Sequence, residues 1–266
     1  MSGEAPSLGG AAGSAEQPQL RWLKEFWGST LGKKIIVATT GLILAGYVIL
    51  HAIGNLKALQ GAGNGSVSAL DEYAEFLRGA GGPVIPDNGL LWIFRVILLT
   101  AFVVHIVGVT QLIRRNRAAR PDGNPPVIQR SLASRTMAVS GFLLLAFIVF
   151  HVLQFTTLTI EPTALEEGQV YANVYSAFQE PWIVVLYVVM MGVLFLHLRH
   201  ALWSLIQTGG WDKPNRNPTF RRGATFIAIF VSVAFALVPI LFFAGTMPEP
   251  DPTSSEASAS LAEAGE

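Results

Sequence analysis

Histidine is the residue type in this chain with the most evident chemistry. All five histidines lie within long apolar runs, and the polar segments between the runs hold none: His51, His105, His151, His197 and His200. Neutral imidazole is the commonest metal ligand among side chains, and an ionisable group within an apolar membrane segment usually marks a functional site. The blander interpretation of any single one is a packed, hydrogen-bonded side chain.

The composition is that of a membrane protein. Of 266 residues, 51% are hydrophobic and 14% are charged, whereas a soluble domain carries roughly a quarter charged residues. The mean hydropathy is +0.46, and apolar runs of about 20 residues predict transmembrane helices. The net charge of zero gives no basic field for nucleic acid. The chain has no cysteine, which excludes disulfides and thiolate or iron–sulfur ligation.

The apolar runs predict one all-α membrane domain over residues 20–246, a bundle of five transmembrane helices. The spans are predicted at about 35–56, 90–113, 136–157, 181–207 and 224–245. Residues 1–19 and 247–266 are rich in small and polar residues and are expected to be disordered tails. Residues 20–31 predict either a short helix at the membrane surface or a flank with aromatic anchors, and LDEYAEFLR is a second amphipathic stretch.

Basic residues are concentrated on alternate sides of the predicted spans. Four precede the first span, six arginines lie between the second and third, and four more stand between the fourth and fifth. The opposite side holds only Lys57 and Arg78. By the positive-inside rule, the N-terminus is expected in the cytoplasm and the C-terminus outside.

The depths of the histidines fall into two layers when each residue advances the helix by about 1.5 Å. His51 and His151 lie at nearly the same height, in an outer layer. His105 forms an inner layer with His197 or His200, roughly 10 Å away. Each layer draws imidazoles from two helices, which is what a bis-histidine haem between helices requires. Two stacked haems are therefore expected.

Other histidine chemistry fits the pattern less well. Zinc or copper would gather its imidazole ligands in one cluster. A cation transporter or an acid relay would place a carboxylate in a span, and no Asp or Glu occurs in any of them. A non-redox membrane protein with structural histidines remains an alternative.

Two basic residues within or at the rim of the spans, Arg95 and Arg199, are candidate partners of haem propionates. Snorkelling to the headgroups is the rival explanation for each. Gly54, Gly108 and Gly192 lie close to histidines and would give a flat cofactor room, although small-residue helix packing explains any one of them equally well. Further candidates for polar contacts are Asn55, Gln154 and Ser204.

Four stretches carry a family resemblance: GSTLGKKIIVATTGLILAGYVILHAIGNL, VVHIVGV, FHVLQFT and HLRHALWSLIQTGGW. The most specific pieces are S-x-x-G-K-K with H-x-x-G-N-L in the first span and H-x-x-x-[GA]-L-W-S in the fourth. Over about residues 20–245, the chain resembles the dihaem cytochrome b membrane anchor of succinate:quinone oxidoreductases (complex II). The likeness is to the five-helix, single-polypeptide type of succinate dehydrogenases and fumarate reductases.

The resemblance implies a role for each histidine. His51 and His151 match the ligands of the distal, outer haem b, and His105 and His197 match those of the proximal, inner one. The family ligand stands four residues before a small residue, here alanine, which selects His197 rather than His200. That small residue is often glycine in the family, so alanine is a mild departure.

The resemblance also implies a function and partners. The chain would be the electron-transfer and quinone-reacting subunit of succinate dehydrogenase, in a bacterial cytoplasmic membrane and in contact with lipid. A flavoprotein carrying FAD would oxidise succinate, and an iron–sulfur subunit would deliver electrons to the anchor. Quinone, with menaquinone favoured, would accept them. No succinate site is recognisable in the chain itself.

Three functional alternatives stay open at this stage. The complex could run from quinol to fumarate, the chain could be a hydrogenase or formate dehydrogenase type of anchor, or its histidines could be structural. Asp71, Glu75 and Asp87 in the segment 57–89 could supply protons to a quinone near the outer haem, although a solvated loop explains these acids equally well.

Overall fold

The computed structural model describes residues 18–61, 67–119, 132–160 and 168–250. This part of the chain is helical: α1 Pro18–Gly28, α2 Thr30–Asn55, α3 Ala69–Gly79, α4 Gly89–Ala118, α5 Leu132–Phe155, α6 Val170–Ala177, α7 Pro181–Thr208 and α8 Asn217–Phe243. A 3-10 turn, Leu56–Gln60, follows α2. The turn at PDGNPP and most of the two predicted tails lie outside the described residues.

Five segments in the described residues are long and apolar enough to cross a membrane: Thr30–Gln60, Gly89–Ala118, Thr136–Phe155, Pro181–Thr208 and Asn217–Phe243. The predicted fold class, an all-α membrane protein with five spans, is confirmed.

Most of the helices continue past the apolar runs that predict them. The fifth span was expected from about residue 224, but α8 begins at Asn217 with Pro218 in its first turn, where proline lacks only an amide that has no helical partner. At α2, the Ser29 side chain caps the helix by accepting from the Gly32 amide at 2.8 Å. Hydropathy marks the membrane-embedded part of a helix, whereas capping residues decide where it begins.

In the bundle, α7 packs against both α8 and α5, and α2 packs against α4. The two groups meet where α2 contacts α7 and α8. Small residues line this seam, where Ala52 on α2 and Ala228 on α8 are fully buried. Small side chains allow close helix approach in membranes. Between α2 and α5, the side chains of His51 and His151 meet.

The end of the bundle nearer to His51 and His151, which we call the outer end after its predicted side, is covered by α3 and α6. These two helices are tied together through Asp71. Its Oδ2 accepts from the Ser68 hydroxyl at 2.6 Å, and its Oδ1 accepts from the Tyr171 amide at 3.0 Å. The Tyr171 hydroxyl then donates to the Pro248 carbonyl at 2.8 Å. Burial raises the pKa of the Tyr171 phenol, with smaller contributions from Tyr175 and Asp71. The phenol therefore remains a donor, and it holds a residue of the predicted C-terminal tail against α6.

Asp71→Ala is expected to loosen α6, because the first turn of that helix loses a side-chain acceptor. Loss of a cap of this kind costs about 0.5–2 kcal/mol. Asp71→Asn is the matched control, since its amide oxygen can still accept from the Tyr171 amide. Hydrogen exchange over Val170–Ala177 should accelerate in the alanine variant and stay close to wild type in the asparagine variant. Equal exchange in all three proteins would show that Asp71 does not hold α6.

The inner end is covered by α1. The Arg115 guanidinium on α4 donates to the Gly28 carbonyl at 2.7 Å, and Lys33 lies 4.3 Å from the centre of the Trp27 ring. Lys33 also donates to the Gln111 side chain and is only 2% exposed. A surface helix does form in the region where one was expected, and it is fastened to α2 and α4.

Candidate functional site

The outer histidines face each other across the bundle. The ring centres of His51 on α2 and His151 on α5 are 5.9 Å apart, with their planes at 74°. A metal–imidazole bond is about 2.0–2.1 Å, so two nitrogens on opposite sides of one metal lie about 4 Å apart and their ring centres somewhat farther. The separation suits one metal atom between two imidazoles.

The ring of His151 is held in one tautomer by a short chain of hydrogen bonds. Tyr187 on α7 donates its hydroxyl proton to Gln154 Oε1 at 2.8 Å, and its oxygen lies 3.1 Å from His151 Nδ1. Because the tyrosine proton is already used, Nδ1 must be the donor in the second bond. The other nitrogen, Nε2, therefore keeps its lone pair, which is the state a metal ligand needs.

Ring packing positions His51, which makes no hydrogen bond within the described residues. It stacks on Tyr47 one helical turn earlier, with ring centres 5.4 Å apart and planes at 9°. Phe235 on α8 approaches it from another side at 5.5 Å. Both contacts restrict the ring without using its nitrogens.

The inner ligand candidate on α4, His105, is also fixed through Nδ1. That nitrogen lies 3.2 Å from the Val37 carbonyl and 3.2 Å from Thr40 Oγ1. Thr40 gives its own proton to the Ile36 carbonyl at 2.8 Å. Both neighbours of Nδ1 can therefore only accept, so His105 must donate from Nδ1 and leave Nε2 free.

His197 on α7 repeats this arrangement. Its Nδ1 lies 3.2 Å from Ser140 Oγ, and Ser140 gives its proton to the Met137 carbonyl at 3.0 Å. His197 must therefore also donate from Nδ1. It lies close enough to His105 for the two rings to interact electrostatically. The structure thus places His51 beside His151, the pair that the depths matched, and places His197 near His105, one of the two inner pairings that the depths left open.

The distance between the layers is larger than the sequence indicated. Thr40 is level with His105 and stands eleven residues before His51 on α2. At about 1.5 Å per residue the layers are roughly 16 Å apart, and the expected 10 Å is wrong. Depth was measured from the edges of the apolar runs, and the Thr40–His105 contact shows that these edges do not share one plane: Thr40 stands five residues inside its run, whereas His105 stands eight residues inside its own.

The fifth histidine, His200, lacks the features of the other four. It makes no hydrogen bond within the described residues and is half-buried. It stands almost one helical turn from His197, on the same helix. The ring that a serine on another helix orients is His197, so the geometry favours His197 as the ligand.

The two arginines differ in their surroundings. Arg199 donates from Nε to Thr225 on α8 at 3.0 Å, and it lies about 200° around α7 from His197. This contact favours a role in packing α7 on α8, so the structure gives no support to Arg199 as a propionate partner. Arg95 lies 4.9 Å from the Trp92 ring and is close enough to Tyr47 to interact with it electrostatically. Arg95 therefore lies near the outer pair.

The three glycines expected beside a cofactor also differ in their surroundings. A β-carbon at Gly54 would lie 2.8 Å from Tyr73, and one at Gly108 would lie 2.6 Å from Val37. Both therefore serve close helix packing. At Gly192 such a carbon would meet no described atom within 4 Å, which leaves open space beside α7.

The three acids that the sequence offers as proton donors are engaged or exposed. Both oxygens of Asp71 accept hydrogen bonds that join α3 to α6. Glu75 pairs with Arg78 at 2.5 Å on the surface, and Asp87 is exposed. For Asp71, the structure shows a structural role.

Sequence reasoning missed the hydroxyl partners of the histidines, namely Thr40, Ser140 and Tyr187. Thr40 and Ser140 each precede a glycine by one residue and a histidine by eleven, and this repeat was legible in the sequence. Tyr187 had no such signal. Within the described residues, no three His, Cys, Asp or Glu side chains form a group that could hold a bare metal ion.

Part of the chain is similar to a known protein family. Residues 110–238 match the family model described as succinate dehydrogenase/fumarate reductase transmembrane subunit. The matched range includes His151 and His197 and the C-terminal turns of α4, but neither His51 nor His105. No curated protein and no solved structure matches the chain. The family match supports a membrane anchor subunit of complex II, with a part in quinone oxidoreduction.

Proposed function

We propose that the chain is the membrane anchor and dihaem cytochrome b subunit of a succinate:quinone oxidoreductase. It would pass electrons from an iron–sulfur subunit to quinone in the membrane. The observation that carries the proposal is the contact of Nδ1 in three of the four rings, which is with a carbonyl for His105 and with a hydroxyl for His197 and His151. Because Nδ1 is engaged in each of these rings, Nε2 is the nitrogen left for a metal. A merely structural histidine has no need to reserve that nitrogen.

The residues present fit haem b. His51 and His151 would hold the outer haem, and His105 and His197 the inner one. The bound haem iron would supply one-electron redox chemistry. The chain's own groups orient the imidazoles, and the apolar residues around them keep water away. The orphaned Nε2 of Gln154, which is fully buried without a partner among the described residues, provides a free donor beside the outer pair. Arg95 is the propionate partner we retain there.

The proposal assigns the two ends of the bundle to different partners. The end that carries α1 and the basic C-terminal turn of α4 would face the cytoplasm and dock the iron–sulfur and FAD-containing subunits. The inner haem would be the one nearer to them. The C-terminus would then lie on the outer side of a bacterial cytoplasmic membrane.

Menaquinone is the acceptor we favour. Its low potential makes reduction by succinate unfavourable, and two redox centres at different depths would let the membrane potential assist. The same parts would serve a fumarate reductase that runs from quinol to fumarate. Activity in the two directions decides between them.

The first experiment is a dithionite-reduced minus oxidised spectrum of the chain purified with its accompanying subunits. We expect a b-type band, two haems per chain, and a co-purified flavoprotein with succinate:quinone activity. A protein without a b-type band would overturn the dihaem proposal. Two haems with a hydrogenase or formate dehydrogenase as the partner would keep the cytochrome and reject the complex II assignment.

A further inference from the structure

Two helices of the bundle share a pattern that involves more than their histidines. On α2, Thr40 and Gly41 stand eleven and ten residues before His51. On α5, Ser140 and Gly141 stand at the same distances before His151. Each helix thus carries a hydroxyl–glycine pair at one depth and a ligand candidate at the other. At about 1.5 Å per residue the two are roughly 16 Å apart.

Each hydroxyl–glycine pair receives the histidine of a neighbouring helix. Thr40 Oγ1 lies 3.2 Å from His105 Nδ1, and Ser140 Oγ lies 3.2 Å from His197 Nδ1. The glycines make room for the same rings. A β-carbon at Gly41 would lie 3.1 Å from His105 Cε1, and one at Gly141 would lie 3.6 Å from His197 Cε1. Helices α2 and α5 therefore each hold one histidine of the inner pair with the same arrangement of a hydroxyl and a glycine.

The two inner histidines differ in the number of hydrogen-bond acceptors around Nδ1. His105 Nδ1 has a second acceptor, the Val37 carbonyl at 3.2 Å. His197 has Ser140 as its one hydrogen-bond acceptor among the described residues. Both hydroxyls are well buried, with Thr40 9% and Ser140 4% exposed, so water replaces a lost partner only with difficulty. Removal of the serine hydroxyl leaves a ring nitrogen unpaired, whereas removal of the threonine hydroxyl does not.

We propose that Ser140 is a positioning residue that tunes the inner haem through His197, and that Thr40 is a weaker counterpart acting through His105. This inference rests on the proposed function. A hydrogen bond from Nδ1 to an oxygen makes the imidazole a more basic ligand. A more basic ligand stabilises the ferric form relative to the ferrous form. Loss of the bond therefore shifts the equilibrium toward the ferrous haem and raises its midpoint potential.

The test is a redox titration of Ser140→Ala, Ser140→Thr and Thr40→Val in the full chain with its co-purified subunits. In Ser140→Ala, the ferrous-to-ferric ratio of one haem at fixed potential should rise threefold to tenfold, which is up to about 59 mV for one electron. The other haem should titrate as in wild type. Ser140→Thr retains the hydroxyl and should behave as wild type. Thr40→Val should shift its haem less than Ser140→Ala.

The outcomes separate this inference from the function beneath it. A wild-type chain without a b-type band overturns the proposed function, and this inference with it. Two normal haems in wild type, with both midpoints unchanged in Ser140→Ala, overturn the inference alone. A shift in Ser140→Thr as large as in Ser140→Ala would also overturn it, since packing rather than the hydroxyl would then matter. The electron paramagnetic resonance of the ferric haems should report the same haem as altered.

Discussion

Replacement of His197 with alanine is expected to remove the inner haem and leave the outer one, so that the b-type absorption per chain falls by about half. The ring of His197 lies near His105 and has its Nδ1 engaged by Ser140. Without it, one of the two residues that would hold the inner haem is lost. Haem extracted per mole of purified chain measures the loss directly.

His200→Ala is the matched control for this experiment. It removes an imidazole from the same helix, three residues away, at a position with no hydrogen-bond partner within the described residues. We expect both haems to remain. Loss of a haem in His200→Ala together with its retention in His197→Ala would reverse the assignment.

The paired variants at the outer level extend the test. His51→Ala and His151→Ala should each remove the outer haem and leave the inner one, because these rings face each other at 5.9 Å. The haem that remains should then show the same midpoint potential in both variants. If the haems that remain in the two variants had different midpoint potentials, His51 and His151 would not hold the same haem.

Much of this fold could be predicted from the sequence because the membrane restricts the possibilities. Backbone groups within the bilayer must form their hydrogen bonds inside the segment, as they do in a helix. Five apolar runs of sufficient length therefore predict five transmembrane helices. Histidine depth follows from position along a rod of known rise, which was enough to match His51 with His151. The helix α6 was missed because eight residues give too little periodicity, and its packing depends on Asp71, distant in sequence.

The details of the site depend on helix rotation, which the sequence does not specify. Whether Ser140 reaches His197, or Tyr187 reaches His151, is decided by how α5 and α7 turn toward each other. The same rotation directs Arg199 to α8 rather than to the inner pair. Depth along one helix is local information, whereas a contact between helices depends on the packing of both.

Tyr187→Phe is expected to destabilise the bundle and to alter the outer haem alone. The substitution keeps the ring, which packs against Phe147 and Phe178, and removes the oxygen that joins His151 to Gln154. A buried amide left without partners costs about 1–3 kcal/mol. The midpoint temperature of denaturation changes by roughly 2–4 °C per kcal/mol for a chain of this size. It should therefore be several degrees lower in Tyr187→Phe than in wild type.

The outer haem should respond in the direction argued for the inner one. His151 loses its hydrogen-bond acceptor, so its imidazole becomes a less basic ligand and the midpoint potential of the outer haem should rise. The inner haem, held by residues on other turns of the helices, should be unaffected. A redox titration that resolves the two haems separates these effects. A shift in the inner haem instead would contradict the outer placement of His151.

A second substitution isolates the role of Gln154. If the loss of stability in Tyr187→Phe comes from the stranded amide, then replacing that amide with an apolar side chain of similar size should recover part of it. We therefore expect the double variant Tyr187→Phe, Gln154→Met to be more stable than the sum of the two single changes predicts. The midpoint of the outer haem should stay raised, because His151 still lacks its acceptor. Strict additivity of the stabilities would show that Tyr187 and Gln154 act independently, and the tautomer of His151 would then need another explanation.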